Sequence, residues 1–167
     1  MAELLSIEVT GAEELRAELQ RAVAQLQRPR ELMDALGARF ELNIERRFDA
    51  ERDPSGVPWK RLAPSTVKIY QKKYDGKIPG SLLNRGSTPS MRGSLTHNAG
   101  DDYVEIGMSR LTDGGRWSIP LLHETGTRRM PRRGIFLADW QAGTLGAEDE
   151  ADLREEIAAF LDDVFGG

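Results

Sequence analysis

Apolar residues recur at every fourth position through Leu32, Leu36, Phe40, Ile44 and Phe48, a stripe that predicts a long helix opened by Pro29. The opposite face carries Arg39, Glu41, Glu45, Arg46 and Asp49. Glu41 and Glu45 repel one turn apart, so burial of the stripe, at ~2 kcal/mol per large apolar side chain, must hold this helix. Upstream, Leu5, Ile7 and Val9 alternate with Ser6 and Glu8, the period of a short half-buried strand. Thr10 and Glu13 frame a capping box for a helix over residues 11–27, with Leu15, Leu19, Val23 and Leu26 on one stripe.

Downstream, Pro64 opens a third helix with Val67, Tyr70 and Tyr74 along one face. Residues 81–93, rich in Gly, Ser, Thr, Pro and Asn, predict a mobile linker. Residues 94–98 and 103–108 form a hairpin pattern around a turn holding Asp101 and Asp102, and residues 112–115 make a further turn. A short helix is expected within 116–125, with Gly126 as its C-cap. Ile135, Phe136 and Leu137 read as a brief buried strand or turn. Glu148, Asp149 and Glu150 open a last helix over 147–165, with Leu153, Ile157, Leu161 and Val164 as its stripe. The expected fold is α+β in one domain over residues 1–167: a small antiparallel sheet, with strands near 4–9, 94–98, 103–108 and 135–137, covered by the long helix.

The tightest turn chemistry lies in Asp53-Pro54-Ser55-Gly56-Val57-Pro58-Trp59-Lys60. Two prolines and a glycine exclude helix and central strand, and Asp53 is placed to accept backbone N–H groups of the turn. Trp59 is large enough to pin the loop to a core. Asp53, Pro54, Gly56 and Trp59 are therefore expected to form a structural loop.

Composition alters this picture chiefly through charge. The chain carries a net −4, yet residues 1–27 sum to −3, 28–99 to +6, 100–147 to 0 and 148–167 to −7. An acidic end and a basic middle suit either solvated helix faces or head-to-tail contact between copies. Arg128, Arg129, Arg132 and Arg133 form a basic cluster suited to carboxylates, and the acidic terminal helix of a neighbouring copy is the partner it suggests. Lys68, Lys72, Lys73 and Lys77, interleaved with Tyr70 and Tyr74, are a weaker candidate for nucleic-acid contact. The absence of cysteine excludes disulfides and thiolate metal sites, and the first residues lack an export signal, which predicts a soluble protein.

Little points to catalysis. His123-Glu124-Thr125-Gly126 lacks the second histidine of a metalloprotease motif, and His97 and His123 are the two histidines available for any zinc site. A packed, hydrogen-bonded histidine is the stronger reading of His123, beside Leu121 and Leu122. Asp101 and Asp102 suit turn bonding better than acid–base work. No phosphate-binding or nucleophile-elbow motif occurs. The chain is expected to have no catalytic residues, no metal and no cofactor.

The arginine-rich helix ending at Phe48 and running into DPSGVPWKRLAPST resembles the virion morphogenesis (tail completion) family of Mu-like and P2-like tailed phages. The family's order continues in Leu82-Leu83, in Val104-Glu105-Ile106-Gly107, in His123-Glu124-Thr125-Gly126 and in Pro131-Arg132-Arg133-Gly134-Ile135-Phe136-Leu137. The resemblance covers about residues 32–137, departs from the family pattern across 84–93, and is most specific in the proline-rich loop. It implies a non-enzymatic protein of tail completion or head–tail connection, working as a homo-oligomeric ring with a hexamer favoured. Implied partners are its own copies, the tail tube or terminator, and head-completion or connector proteins, with proximity to DNA and no membrane. The implied setting is the host cytoplasm during assembly and then the virion. The alternative is a DNA-binding accessory protein of phage assembly using the basic middle.

Overall fold

The four-residue stripe becomes the backbone of the fold. The computed structural model describes residues 13–25, 29–73, 75–76, 90–112 and 114–165. Its longest element is α2 (Pro29–Ala50), preceded by α1 (Glu13–Gln25). Leu32, Leu36, Phe40, Ile44 and Phe48 are all buried, and Met33 joins them. Asn43 and Arg47 are buried as well, so α2 hides a polar stripe that apolar spacing does not announce.

After α3 (Pro64–Lys73) the chain returns through a 3-10 turn at Arg92–Ser94 into β1 (Leu95–Ala99) and β2 (Val104–Met108). These strands pair antiparallel, Leu95 opposite Met108 and Ala99 opposite Val104, and make the two-stranded sheet seen among the described residues. Gly100 donates its N–H to the Tyr103 carbonyl at 2.8 Å and closes the turn that holds Asp101 and Asp102. Short α4 (Ile119–Thr125) and long α5 (Ala147–Phe165) complete the α+β order. The Ser118 hydroxyl caps α4 by accepting the Leu121 N–H.

α2 lies across both strands and packs along α5, which also touches α1. One half of α2 (Phe40, Ile44, Phe48) shares a cluster with Trp59, Met108 and residues 135–137. The other half (Leu32, Met33, Leu36) meets Leu15, Ala99 and Ile157. Leu145 and Leu153 pack against both clusters. On the hairpin side His97 reaches α2, with Nε2 3.2 Å from Asp34 and Nδ1 3.1 Å from Glu41.

Several expectations change in three dimensions. Residues 135–137 are buried but form no strand; their backbone groups are claimed by side chains, as described below. The linker expected over 81–93 is tied down at its end, where Met91 is buried and Arg92 Nη1 meets Asp49 at 2.6 Å. α3 buries none of its side chains, Val67 and Tyr70 being half-buried. The acidic α5 is not turned wholly outward: Asp149 is buried, and Asp152 lies 3.4 Å from Arg39 and 3.9 Å from Arg46. The strand expected near 4–9, residues 10–12 of the capping box, Leu26, Tyr74, Lys77 and residues 81–89 lie outside the described residues, as do the side chains of Leu19, Val23 and Val164.

Candidate functional site

The loop after α2 is shaped by its own side chains. Glu51 takes φ 51° and Gly56 φ 78°, a left-handed conformation that glycine adopts without steric cost. Asp53 Oδ1 accepts the N–H groups of Ser55 and Val57, each at 2.9 Å, and Gly56 donates to the Asp53 carbonyl at 2.9 Å. Trp59 N–H then returns to the Glu51 carbonyl at 2.8 Å, which closes the loop. Pro54 is buried, and its carbonyl oxygen lies 2.3 Å from where a Cβ on Gly146 would stand, so only glycine allows the start of α5 to approach the loop so closely.

Trp59 is the anchor. It is 4% exposed, meets Phe48 edge-on with centroids 5.6 Å apart, and donates Nε1–H to the Gly134 carbonyl at 2.9 Å. The bond joins the loop to residues 131–137, the segment that Arg47 and Glu124 reach and that contains Arg133. Glu124, 2% exposed on α4, accepts the backbone N–H groups of Ile135, Phe136 and Leu137 at 2.6, 2.9 and 3.2 Å. Arg132 grips Glu124 through its carbonyl at 2.8 Å and its carboxylate at 3.0 Å, and also donates to the Leu137 carbonyl. Arg47 donates to the Ile135 carbonyl at 2.8 Å and to the Asp149 carboxylate, while Asn43 donates to the same carboxylate at 3.2 Å. Arg133, 3% exposed, reaches the Lys60 and Arg61 carbonyls at 2.7 and 3.2 Å.

A strand would give these backbone groups to a neighbouring strand. Here a carboxylate takes three consecutive donors, and Trp59, Arg47 and Arg132 take the carbonyls of Gly134, Ile135 and Leu137. Three N–H groups and three carbonyls of a buried segment are thereby satisfied without a sheet. Burial raises the Asp149 carboxyl above its ordinary pKa, against the opposing pull of Arg47 and Asn43. Burial likewise lowers the Arg133 guanidinium from its usual value.

His123 sits at this junction, its carbonyl accepting the Arg133 N–H at 2.8 Å. Burial and the nearby Arg133 charge push its pKa down to about 4, and its Nδ1 is buried without a hydrogen-bond partner. The ring is packed as expected of a structural histidine, but at Nδ1 it makes no hydrogen bond. His97 shifts the other way: burial opposes its charge, but hydrogen bonds to Glu41 and Asp34 outweigh that and raise its pKa. Among the described residues no group of three His, Asp or Glu side chains is arranged to hold a metal ion.

The residues singled out from sequence therefore divide. Asp53, Pro54, Gly56 and Trp59 lie together in the loop and its anchor. Arg132 and Arg133 point inward and are bound within the chain, whereas Arg128 and Arg129 are exposed on a turn closed between Thr127 and Met130. The four arginines are thus not one surface. Lys68, Lys72 and Lys73 are exposed on α3. Arg47, Glu124 and Asp149 were not legible as partners: Arg47 follows Glu45 and Arg46, and Asp149 stands between Glu148 and Glu150, so both read as solvated; the weak signal was that Arg47 falls three residues after Ile44, on the buried face of α2.

The arrangement ties helix, loop and buried segment together through the pieces that make up the resemblance: the helix ending at Phe48, the DPSGVPW loop, the HETG turn and PRRGIFL. The sequence model of the phage virion morphogenesis family matches residues 11–153. The chain belongs to the phage virion morphogenesis family. The chain is also 29% identical over 137 residues to the Mu-like prophage FluMu G protein 1 of Haemophilus influenzae, an alignment that covers 81% of this chain and 84% of that protein. No solved structure matches the chain. The matched span of this virion morphogenesis protein takes in every element from α1 to α4 and the first part of α5.

Proposed function

We propose that this protein acts without catalysis as an adaptor in tail completion or at the head–tail junction, as a closed ring of its own copies. The observation that carries the reading is the family match over residues 11–153. The use of the inner charges supports it: buried Arg47, Glu124, Arg133 and Asp149, with half-buried Arg132, all bind groups of the chain itself, as expected of a rigid building block. Each copy of a ring offers two different complementary surfaces, and the uneven charge of this chain suits that geometry. The partners in this reading are other copies, with six as the favoured number, then the tail tube or terminator and head-completion or connector proteins. The protein would assemble in the host cytoplasm and remain in the virion.

Electron microscopy of the purified protein, alone and mixed with tail tubes, tests this. Rings, or tube ends capped by added density, are expected. A protein that stays monomeric and leaves tube ends bare would overturn the reading. The exposed Lys68, Lys72 and Lys73 favour one second reading, a DNA-binding accessory role, which expects duplex retention that weakens steeply with salt.

A further inference from the structure

α3 stands apart from the other helices in burying no side chain. Ser65, Lys68, Ile69 and Lys72 follow one another at helical spacing on one face, and all four are exposed, Ile69 by 66%. No carboxylate among the described residues is paired with Lys68 or Lys72. An isoleucine left in water between two lysines is an unpartnered face with a stated charge.

The outer face of α5 has the opposite character. Asp149, Leu153 and Ile157 turn inward or toward the core, which leaves Glu148, Ala151, Glu155, Ala158, Ala159 and Asp162 exposed along the other side. Carboxylates at 148, 155 and 162 are spaced by seven residues, roughly 10 Å along the axis, and alanines lie between them. Glu155 touches Arg39 at 3.7 Å yet keeps 77% of its side chain exposed. This is an exposed acidic strip whose carboxylates are separated by small side chains.

We propose that α3 of one copy docks on the outer face of α5 of a neighbouring copy. Ile69 seats over the alanines, with Lys68 against Asp162 and Lys72 against Glu155. Both faces are exposed in the single chain, so the contact joins different copies. Because the surfaces differ, the contact is heterologous and closes into a ring when the rotation between copies permits. Charge sets the orientation while the apolar centre excludes water. Each contact is weak alone, and ring closure makes the last one intramolecular and so reinforces the rest. The inference rests on the ring reading and adds which surfaces meet.

Three variants test it alongside the parent: Lys68→Glu with Lys72→Glu, Glu155→Lys with Asp162→Lys, and all four together. Thermal melting confirms that each folds, and analytical ultracentrifugation at ~0.1 M salt, where screening acts over about 10 Å, reads assembly. Each pair alone should cut the assembled fraction by roughly tenfold or more, and the combination should restore it. Because the chain has no cysteine, a mixture of Lys68→Cys and Asp162→Cys chains should also cross-link into a mixed dimer. If the parent forms rings and either reversed pair does too, or the combination fails to recover, the contact is wrong while the ring reading stands. If the parent forms no ring, alone or on tail tubes, both fall. Salt-sensitive retention of duplex DNA that the lysine reversal abolishes, with rings intact, would assign α3 to nucleic acid and overturn the contact.

Discussion

The Glu124 carboxylate accepts the Ile135 backbone N–H at 2.6 Å, and the same side chain goes on to hold Phe136 and Leu137. One α4 residue thus supplies the hydrogen-bonding edge that a missing strand would have supplied. Glu124→Ala leaves three buried N–H donors without their acceptor and takes the carboxylate from Arg132, which keeps the Glu124 and Leu137 carbonyls, so a loss of about 3–5 kcal/mol is expected, by analogy with breaking one side of a buried charged pair. Glu124→Gln keeps one acceptor oxygen and should lose less. Denaturant unfolding of the two variants checks the order; equal losses would show that the acceptor oxygen kept by glutamine holds none of the three N–H groups.

Trp59 holds the loop through its ring area and its single N–H. Trp59→Ala should cost about 3–5 kcal/mol and Trp59→Phe about 1–2 kcal/mol, the latter mostly from leaving the Gly134 carbonyl unpaired. Thermal melting of the pair separates packing from hydrogen bonding. An unchanged melting temperature in Trp59→Ala would mean that the ring is not part of the core in solution.

Arg47 and Asp149 meet in the buried seam between α2 and α5. Asp149→Leu strands a buried guanidinium and should cost about 3–5 kcal/mol, while adding Arg47→Met removes the stranded charge and should recover much of the loss. Full additivity in this double-mutant cycle would contradict the coupling.

The two histidines should titrate in opposite directions. His123, held to about 4 in the folded chain, is neutral there; its contribution is complete above pH ~6.5 and is lost as the pH falls toward its folded value, by up to about 3 kcal/mol. His97 has a raised pKa, so its contribution is complete below pH ~6.5 and is lost as the pH rises through the folded value. With two histidines in the chain, an NMR titration can assign both from single substitutions. A His123 that titrates near 6.5 would show that its ring is open to water.

Much of the fold was legible because its signals are local. The spacing of Leu32, Leu36, Phe40, Ile44 and Phe48 needs only helix geometry to define α2, and Asp53 with Pro54 and Gly56 shapes a turn from within a few residues. The hairpin and α5 follow from the same short-range rules, and the family followed from the order of those pieces.

Only the tertiary structure decided which charges are inside. Arg47 meets Asp149 across 102 residues, and Glu124 meets the 135–137 backbone across a turn whose closure depends on Gly126 and Arg132. A periodicity rule sends every arginine and glutamate to water, because it weighs each side chain alone. Burial of a charge depends on a partner brought from elsewhere in the chain, and that pairing exists only once the long-range contacts have closed. Residues 135–137 were therefore apolar enough to be read as a strand, and became instead a segment held by side chains.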